Sequence, residues 1–436
     1  MYSLDPVHVC MLEGADATPE ASARIDRMLE AIGRTRDDLL VFNESNAADV
    51  TAKINAGYPP KHPTDGVPQE YTRSLVFTTL QLDEDSKPDT AKLAEACGPG
   101  TQGLLNGMFG CFPPRKFRER QSDQERNHVC WCAYEFGTVQ GCPHGCKYCG
   151  TGRSSKAMSV AVNLEEFAEK CLVPTLNESP WQRCYRIIGW GADKIALEPE
   201  YGLFDLVTRE MSEFEAKYAY FHSAGSNVEW IADLPHRDRV VGVWSVTCDA
   251  VARQIEPGAG TFTDRFDAAG FLEGLGLATR LKFKPIIPVK NWRQEFGTAI
   301  DELFKRCRPE SIGLAVYMWN TVEALKKSID PDLLDPDFLK AAQDAADEMA
   351  EVRTGPYPQH VREEIYRFFI EEIRKRDKDV LLYLSTESRE IWDALEKEIG
   401  QSKRAFVCGC GAMAVPGRRL ALASEMRYTT YEPTNA

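Results

Sequence analysis

The run Gly141-Cys142-Pro143-His144-Gly145-Cys146-Lys147-Tyr148-Cys149-Gly150 decides how this chain is read. Three thiolates at C-x3-C-x2-C spacing on one short loop can each hold one iron of a [4Fe–4S] cube, leaving the fourth iron without a protein ligand. An open iron is a place for chemistry, as an open position is in a catalytic metal site. A zinc knuckle is the bland alternative, but zinc sites usually present four ligands in two pairs, and this run has three cysteines. His144 sits between two of them, where ligation would strain the loop. Glycines at 141, 145 and 150 let the backbone bend around a cluster.

The chain has 436 residues, enough for two or three domains and a large core. Its 14 cysteines, grouped as C-x3-C-x2-C and C-x-C, point to metal binding in a reducing compartment rather than a disulfide framework. Cytoplasm is the expected location. The sequence has no apolar run of about 18 residues, so no membrane span is expected, and its start lacks the pattern of a secretory signal. The formal net charge of −14 argues against tracking a nucleic-acid backbone, which calls for a basic stripe. Nucleic acid is therefore not an expected partner, the basic run at 114–120 reads as a solvated face, and a small-molecule substrate is expected.

Alternating strand and helix patterns divide the chain into three expected regions. Residues 1–125 form an N-terminal α/β region with strands at 7–12, 39–42 and 74–79 and a helix at 22–33. Residues 126–325 form the central unit, with strands at 134–140, 185–189, 218–221, 240–246, 281–289 and 312–318. Six strand–helix repeats imply a partial (β/α)6 barrel whose site lies at the strands' C-terminal ends. Residues 326–436 form a mostly helical extension carrying Cys408-Gly-Cys410, with helices at 337–352 and 361–376 and a strand at 380–384.

The cysteine spacing resembles the signature of the radical S-adenosylmethionine (SAM) superfamily. That resemblance implies Cys142, Cys146 and Cys149 as cluster ligands, with the open iron binding the amino and carboxylate groups of SAM. It also implies a reductant such as flavodoxin or ferredoxin. Tyr148, just before the last cysteine, fits contact with the adenine ring. Gly189-Trp190-Gly191, followed by Asp193, resembles the element that receives SAM's amino group. Ser223 and Asn227, after the third strand, would bind SAM or cap the following helix, and Ser245 would donate to the carboxylate. Lys282 and Lys284 share one face of the fifth strand. An inward lysine pair needs an anion, and an outward pair is equally compatible with the sequence.

From the cysteine loop to about residue 292 the chain looks like spore photoproduct lyase and its relatives. The carriers are the cysteine run, Ser226-Asn-Val-Glu229, Trp244-Ser-Val-Thr247, Gln254-Ile-Glu-Pro257, Thr261-Phe-Thr-Asp-Arg-Phe-Asp-Ala-Ala269 and Lys284-Pro-Ile-Ile-Pro-Val-Lys-Asn-Trp292. Further on, Arg362-Glu-Glu-Ile-Tyr-Arg-Phe368, Ser385-Thr-Glu-Ser388 and Trp392 resemble a broader lyase-like group. The resemblance implies a 5′-deoxyadenosyl radical. The family's hydrogen-donor cysteine after the second strand has no counterpart in Trp190-Gly-Ala-Asp193, and Ala224 stands where a lysine is expected. These departures favour a paralogue with different chemistry over a DNA photolesion lyase.

Cys130, Cys132, Cys408 and Cys410 form a candidate second metal or substrate site, with a buried pair and a free tail as the bland alternative. The sequence supports three enzyme readings: radical SAM chemistry on a small molecule, transfer of SAM's 3-amino-3-carboxypropyl group to a thiol-bound acceptor such as arsenite (as in arsinothricin-type biosynthesis), and DNA lesion repair. A structural zinc or iron–sulfur protein is the non-enzyme rival.

Overall fold

A computed structural model describes residues 4–57, 73–83, 85, 87–118, 127–151, 156–187 and 193–417. Thirteen strands are described, in chain order: β1 (Val9–Leu12), β2 (Leu39–Phe42), β3 (Ser74–Thr78), β4 (Arg115–Arg118), β5 (Ala133–Phe136), β6 (Val139–Gln140), β7 (Ala157–Ala161), β8 (Cys184–Ile187), β9 (Tyr218–Ser223), β10 (Val240–Val246), β11 (Ala278–Ile286), β12 (Ser311–Val316) and β13 (Leu381–Leu384).

They build two sheets. The larger runs β13-β12-β11-β10-β9-β8-β5-β4, parallel throughout except for β4 at one edge. The smaller runs β2-β1-β3-β7-β6, with β6 antiparallel. The strand positions expected from periodicity are largely recovered, and the large sheet stays open, edged by β4 and β13. The expected boundaries at 125 and 325 do not separate the sheets. The large sheet takes β4 from the first region and β13 from the last, and the small sheet takes β6 and β7 from the middle one. Sheet pairing is long-range, so it does not follow composition along the chain.

Side-chain alternation divides the large sheet into two faces. Phe221, Trp244, Leu281, Phe283, Ile312 and Leu314 point outward into the main core. Helices Leu203–Ser212, Phe262–Gly274 and Gln359–Arg376 pack there, against β9, β10–β11 and β12. The opposite, concave face carries Arg186, Tyr220, His222, Ser245, Lys282 and Lys284, as the registers Arg186↔Tyr220 and Ser245↔Lys282 require. Arg186, His222 and Ser245 stay half-buried while their chain neighbours on the other face are buried, and Lys284 is half-buried beside buried Phe283, so this side is a lumen open to solvent.

The C-terminal segment closes the N-terminal end of that lumen. Ala412 O accepts from the amides of Arg183 and Cys184 at 2.7 and 2.8 Å. Arg280 donates to Gly409 O at 3.0 Å and to Ala414 O at 2.6 Å. A Cβ at Gly409 would stand 2.9 Å from both Ser311 Oγ and the Tyr383 hydroxyl, which explains the glycine of Cys-Gly-Cys. The free tail weighed as the alternative reading of Cys408 and Cys410 is thus, as far as residue 417, a fitted plug.

The later family-like stretches prove to be one buried network. Glu387 accepts from Arg362 at 2.7 Å, from the Tyr366 hydroxyl at 2.6 Å and from the Ser388 amide at 2.7 Å. It ties the long helix to the end of β13. Glu387→Ala would strand Arg362 in the core, and the expected loss is about 3–5 kcal/mol, read as a lowered denaturant midpoint at unchanged slope. Among the described residues, no helix is long and apolar enough to cross a membrane.

Candidate functional site

The cysteine loop springs from the junction of the two sheets. The expected strand at 134–140 is really two: β5 ends at Phe136 in the large sheet, and β6 pairs with β7 in the small one. Gly141 follows at φ +97°, and a Cβ there would fall 2.5 Å from Ala157 O, so only glycine makes this turn. Cys142 and Cys146 are buried and Cys149 is half-buried, all as free thiols.

Residues at and beyond the C-terminal ends of three parallel strands pin the loop. After β8, Asp193 Oδ2 meets His144 Nε2 at 2.8 Å. The same oxygen accepts from Ser223 Oγ at 2.6 Å and from the Ala224 amide at 3.0 Å, both at the end of β9. After β10, Ile255 O accepts from the Lys147 amide at 2.9 Å, and Glu256 accepts from the Tyr148 hydroxyl at 2.6 Å. Arg265 pairs with the other Glu256 oxygen at 2.6 Å, both groups almost fully buried. A Cβ at Gly258 would stand 3.0 Å from His144 Cα, so the loop backbone lies directly on this glycine.

The electrostatics suit a cationic guest. Burial, then the Asp193 charge, pushes the Cys142 thiol up to about 12. Burial, then Glu256 and the neighbouring cysteines, raises Cys146 well above its ordinary value. Thiols so placed ionise when a metal arrives and supplies positive charge. Among the described residues no three Cys, His, Asp or Glu side chains converge to hold a single metal ion. A cube asks for something else, since each thiolate meets its own iron. Asp193 adds a second fitting feature: its Oδ1 is buried with no hydrogen-bond partner among the described residues, an acceptor left for a donor from a ligand.

The other sequence-derived candidates fall as follows. Tyr148 lies in the loop, its phenol kept protonated by burial and the Glu256 carboxylate. Gly189, Trp190 and Gly191 lie outside the described residues. Ser223 holds Asp193 in place and accepts from the Gly225 amide at 2.7 Å. Asn227 donates to Ile195 O and Glu198 O at 2.6 and 2.8 Å, clamping the connection after β8. Its amide nitrogen is therefore engaged within the chain. Ser245 contacts His222 Nε2 at 2.9 Å in the lumen.

The second cysteine set is brought only partly together. Cys408 and Cys410 lie close enough to shift each other's titration in opposite directions, and Cys130 lies near enough for its charge to act on Cys408. Cys132 is buried as well. Among the described residues no three of these groups converge on one point, as a single-ion site would require. Sequence reasoning passed over Glu256, Arg265 and the His144–Asp193 contact. The Gln254-Ile-Glu-Pro257 motif held the first of these in plain sight, but its partner Tyr148 is 108 residues away.

The fold and site together define an open parallel α/β sheet with a cysteine loop at the C-terminal ends of its strands. Solved structures of spore photoproduct lyase share this fold. The chain resembles that enzyme complexed with dinucleoside spore photoproduct at 15% identity and a TM-score of 0.59, over 87% of this chain and 99% of the other. A double variant with bound AdoMet and dinucleoside spore photoproduct matches at 15% and 0.58, over 87% and 98%. A cysteine-to-alanine variant matches at 14% and 0.59, over 88% and 100%. No family model matches the sequence, and no curated protein does.

Proposed function

We propose that this chain is a radical SAM enzyme acting on a small-molecule substrate. One observation carries the reading: three cysteines at C-x3-C-x2-C spacing share a buried loop pinned to the C-terminal ends of β8, β9 and β10, in a chain whose fold follows spore photoproduct lyase over nearly its whole length. Cys142, Cys146 and Cys149 would hold a [4Fe–4S] cluster, and Asp193 Oδ1 would accept from the amino group of SAM. When bound and reduced, the pair supplies a carbon radical by cleaving a carbon–sulfur bond. The chain's part is to orient SAM through Asp193, set in turn by His144 and Ser223, and to keep water from the loop by its packing on Gly258.

The test is anaerobic cluster reconstitution, addition of dithionite and SAM, and identification of the adenosine product by mass spectrometry. 5′-Deoxyadenosine is the expected product. A reducible cluster that leaves SAM intact, with and without candidate substrates, overturns the reading.

A second reading rests on the closeness of Cys408 to both Cys410 and Cys130, near enough for their charges to act on it. There SAM would give its 3-amino-3-carboxypropyl group to a thiol-held acceptor such as arsenite, and 5′-methylthioadenosine would be the product. A lesion-bearing DNA strand is the rival substrate, because the similar solved structures hold a dinucleoside lesion. The net charge of −14 argues for the small molecule, and lesion-DNA binding that weakens steeply across a salt series would reverse that choice.

A further inference from the structure

The lumen of the large sheet holds more positive charge than its own acids neutralise. Arg118, Arg186, Lys282 and Lys284 face it, against two acids, the carboxylate of Glu135 and Cys410, whose pKa Cys408 and the nearby Lys282 and Arg118 hold well below the usual thiol value. Arg186 pairs with Glu135 at 3.1 Å. Lys282, buried at 3% exposure, lies close enough to Cys410 for its charge to lower the pKa of that thiol. Arg118 lies among Cys130, Cys410, Tyr220 and Glu135. Among the described residues, neither Lys282 nor Lys284 reaches a carboxylate. His222, between them and Arg186, adds no charge, because burial and the three surrounding cations hold it neutral.

Lys284 is presented with particular care. Its ammonium donates to Ser385 Oγ at 3.2 Å and to Thr386 Oγ1 at 3.0 Å, and it lies 4.7 Å from the centre of the Trp319 ring. Trp319 and Thr386 both have left-handed backbones, at φ +69° and +60°. Side chains of this kind rarely adopt that conformation, and strain of about 1–3 kcal/mol each persists where the surroundings impose it. Two strained residues from different strand ends therefore converge on one lysine. Hydroxyls and an aromatic face orient an ammonium without neutralising it, so its charge remains available to a guest in a solvent-reached chamber.

We propose that this lumen binds the anionic group of the substrate, a phosphate or carboxylate, between Lys282, Lys284 and Arg186. The inference deepens the radical SAM reading by naming the substrate's chemical class, and it rests on that reading for the word substrate. A partly buried cation cluster lacking enough acids is stabilised by an incoming anion, through charge-assisted hydrogen bonds. Burial, then Lys282, brings the Lys284 pKa down to about 7, partly offset by Cys410 and Cys130. Anion affinity then weakens as pH rises above 7 and the ammonium is lost.

The probe is inorganic phosphate, titrated calorimetrically into the full-length cluster-loaded protein at low salt and pH 6.5. Millimolar or tighter binding is expected. Lys284→Met should weaken it by about tenfold or more, Lys284→Arg should restore it, and Lys290→Met, at an exposed position, should leave it unchanged. Thymidine monophosphate and a thymidine dinucleotide serve as competitors. Displacement of phosphate by either upholds the site, and the tighter of the two tells a phosphate monoester from a nucleic-acid phosphodiester. No phosphate binding, or equal affinity in Lys284→Met, overturns the inference. So does displacement by SAM, which would assign these cations to SAM's own carboxylate. Phosphate binding does not depend on SAM cleavage, so the two readings fail separately.

Discussion

Replacing any one of Cys142, Cys146 and Cys149 with alanine is expected to abolish SAM cleavage and the visible absorbance of the reconstituted cluster. The three thiols are the only ligands the loop offers to a cube that already lacks a fourth, so losing one leaves two irons unprotected. The fold should survive. Cys142 and Cys146 lie in a loop held by His144, Lys147 and Tyr148 rather than by the cysteines, so each variant should keep its melting cooperativity. Cys97→Ala, on a helix of the small sheet's side, is the control that retains both cluster and cleavage. A triple-alanine protein that still cleaves SAM would remove the cysteine loop from the chemistry.

The second large effect is expected at Asp193. Asp193→Asn keeps the side chain's shape but removes its charge and two of its acceptor sites. Its Oδ2 accepts from Ser223 and Ala224 and contacts His144, while its Oδ1 has no partner among the described residues. A charged hydrogen bond to the SAM ammonium is worth about 1.5–3 kcal/mol, which corresponds to a fall in SAM affinity of about ten- to a hundredfold. Calorimetry would read that change, with iron content per chain holding at the level of the unmodified protein. Unchanged SAM affinity in a cluster-loaded variant would show that Asp193 only positions the loop. His144→Gln, which acts through Asp193, should cost less, and its loss should appear in SAM affinity before it appears in cluster content.

Strong local periodicity made most strands and several helices legible. Val240–Val246 and Leu39–Phe42 lie where alternation and apolar runs put them. The expected helix at 337–352 breaks into Pro336–Asp344 and Ala346–Met349 at Ala345, a break that no glycine or proline announced. Asn163 is the N-cap of the helix Leu164–Phe167, and its side chain donates to Glu166 Oε2 at 2.8 Å. The same side chain also bridges to the Leu80 backbone, accepting from N at 2.8 Å and donating to O at 3.2 Å. That second partner lies 83 residues away, beyond the reach of any local pattern. Lys282 and Lys284 show the same limit: period two put them on one face, and only the sheet's curvature decided that the face was the lumen.

By itself, then, the sequence determined the chemistry-bearing loop, the alternating α/β order and the strand faces, because each depends on neighbours within a few residues. Tertiary structure alone decided that β6 leaves the large sheet, that Glu256 and Asp193 grip the cysteine loop, and that Cys408-Gly-Cys410 plugs the lumen rather than trailing from it. It also decided that four cations meet there. The grip on the cysteine loop and the seating of the plug are contacts between residues 49 to 230 positions apart. Their energy comes from burial and charge pairing in a shared interior, which no local pattern encodes.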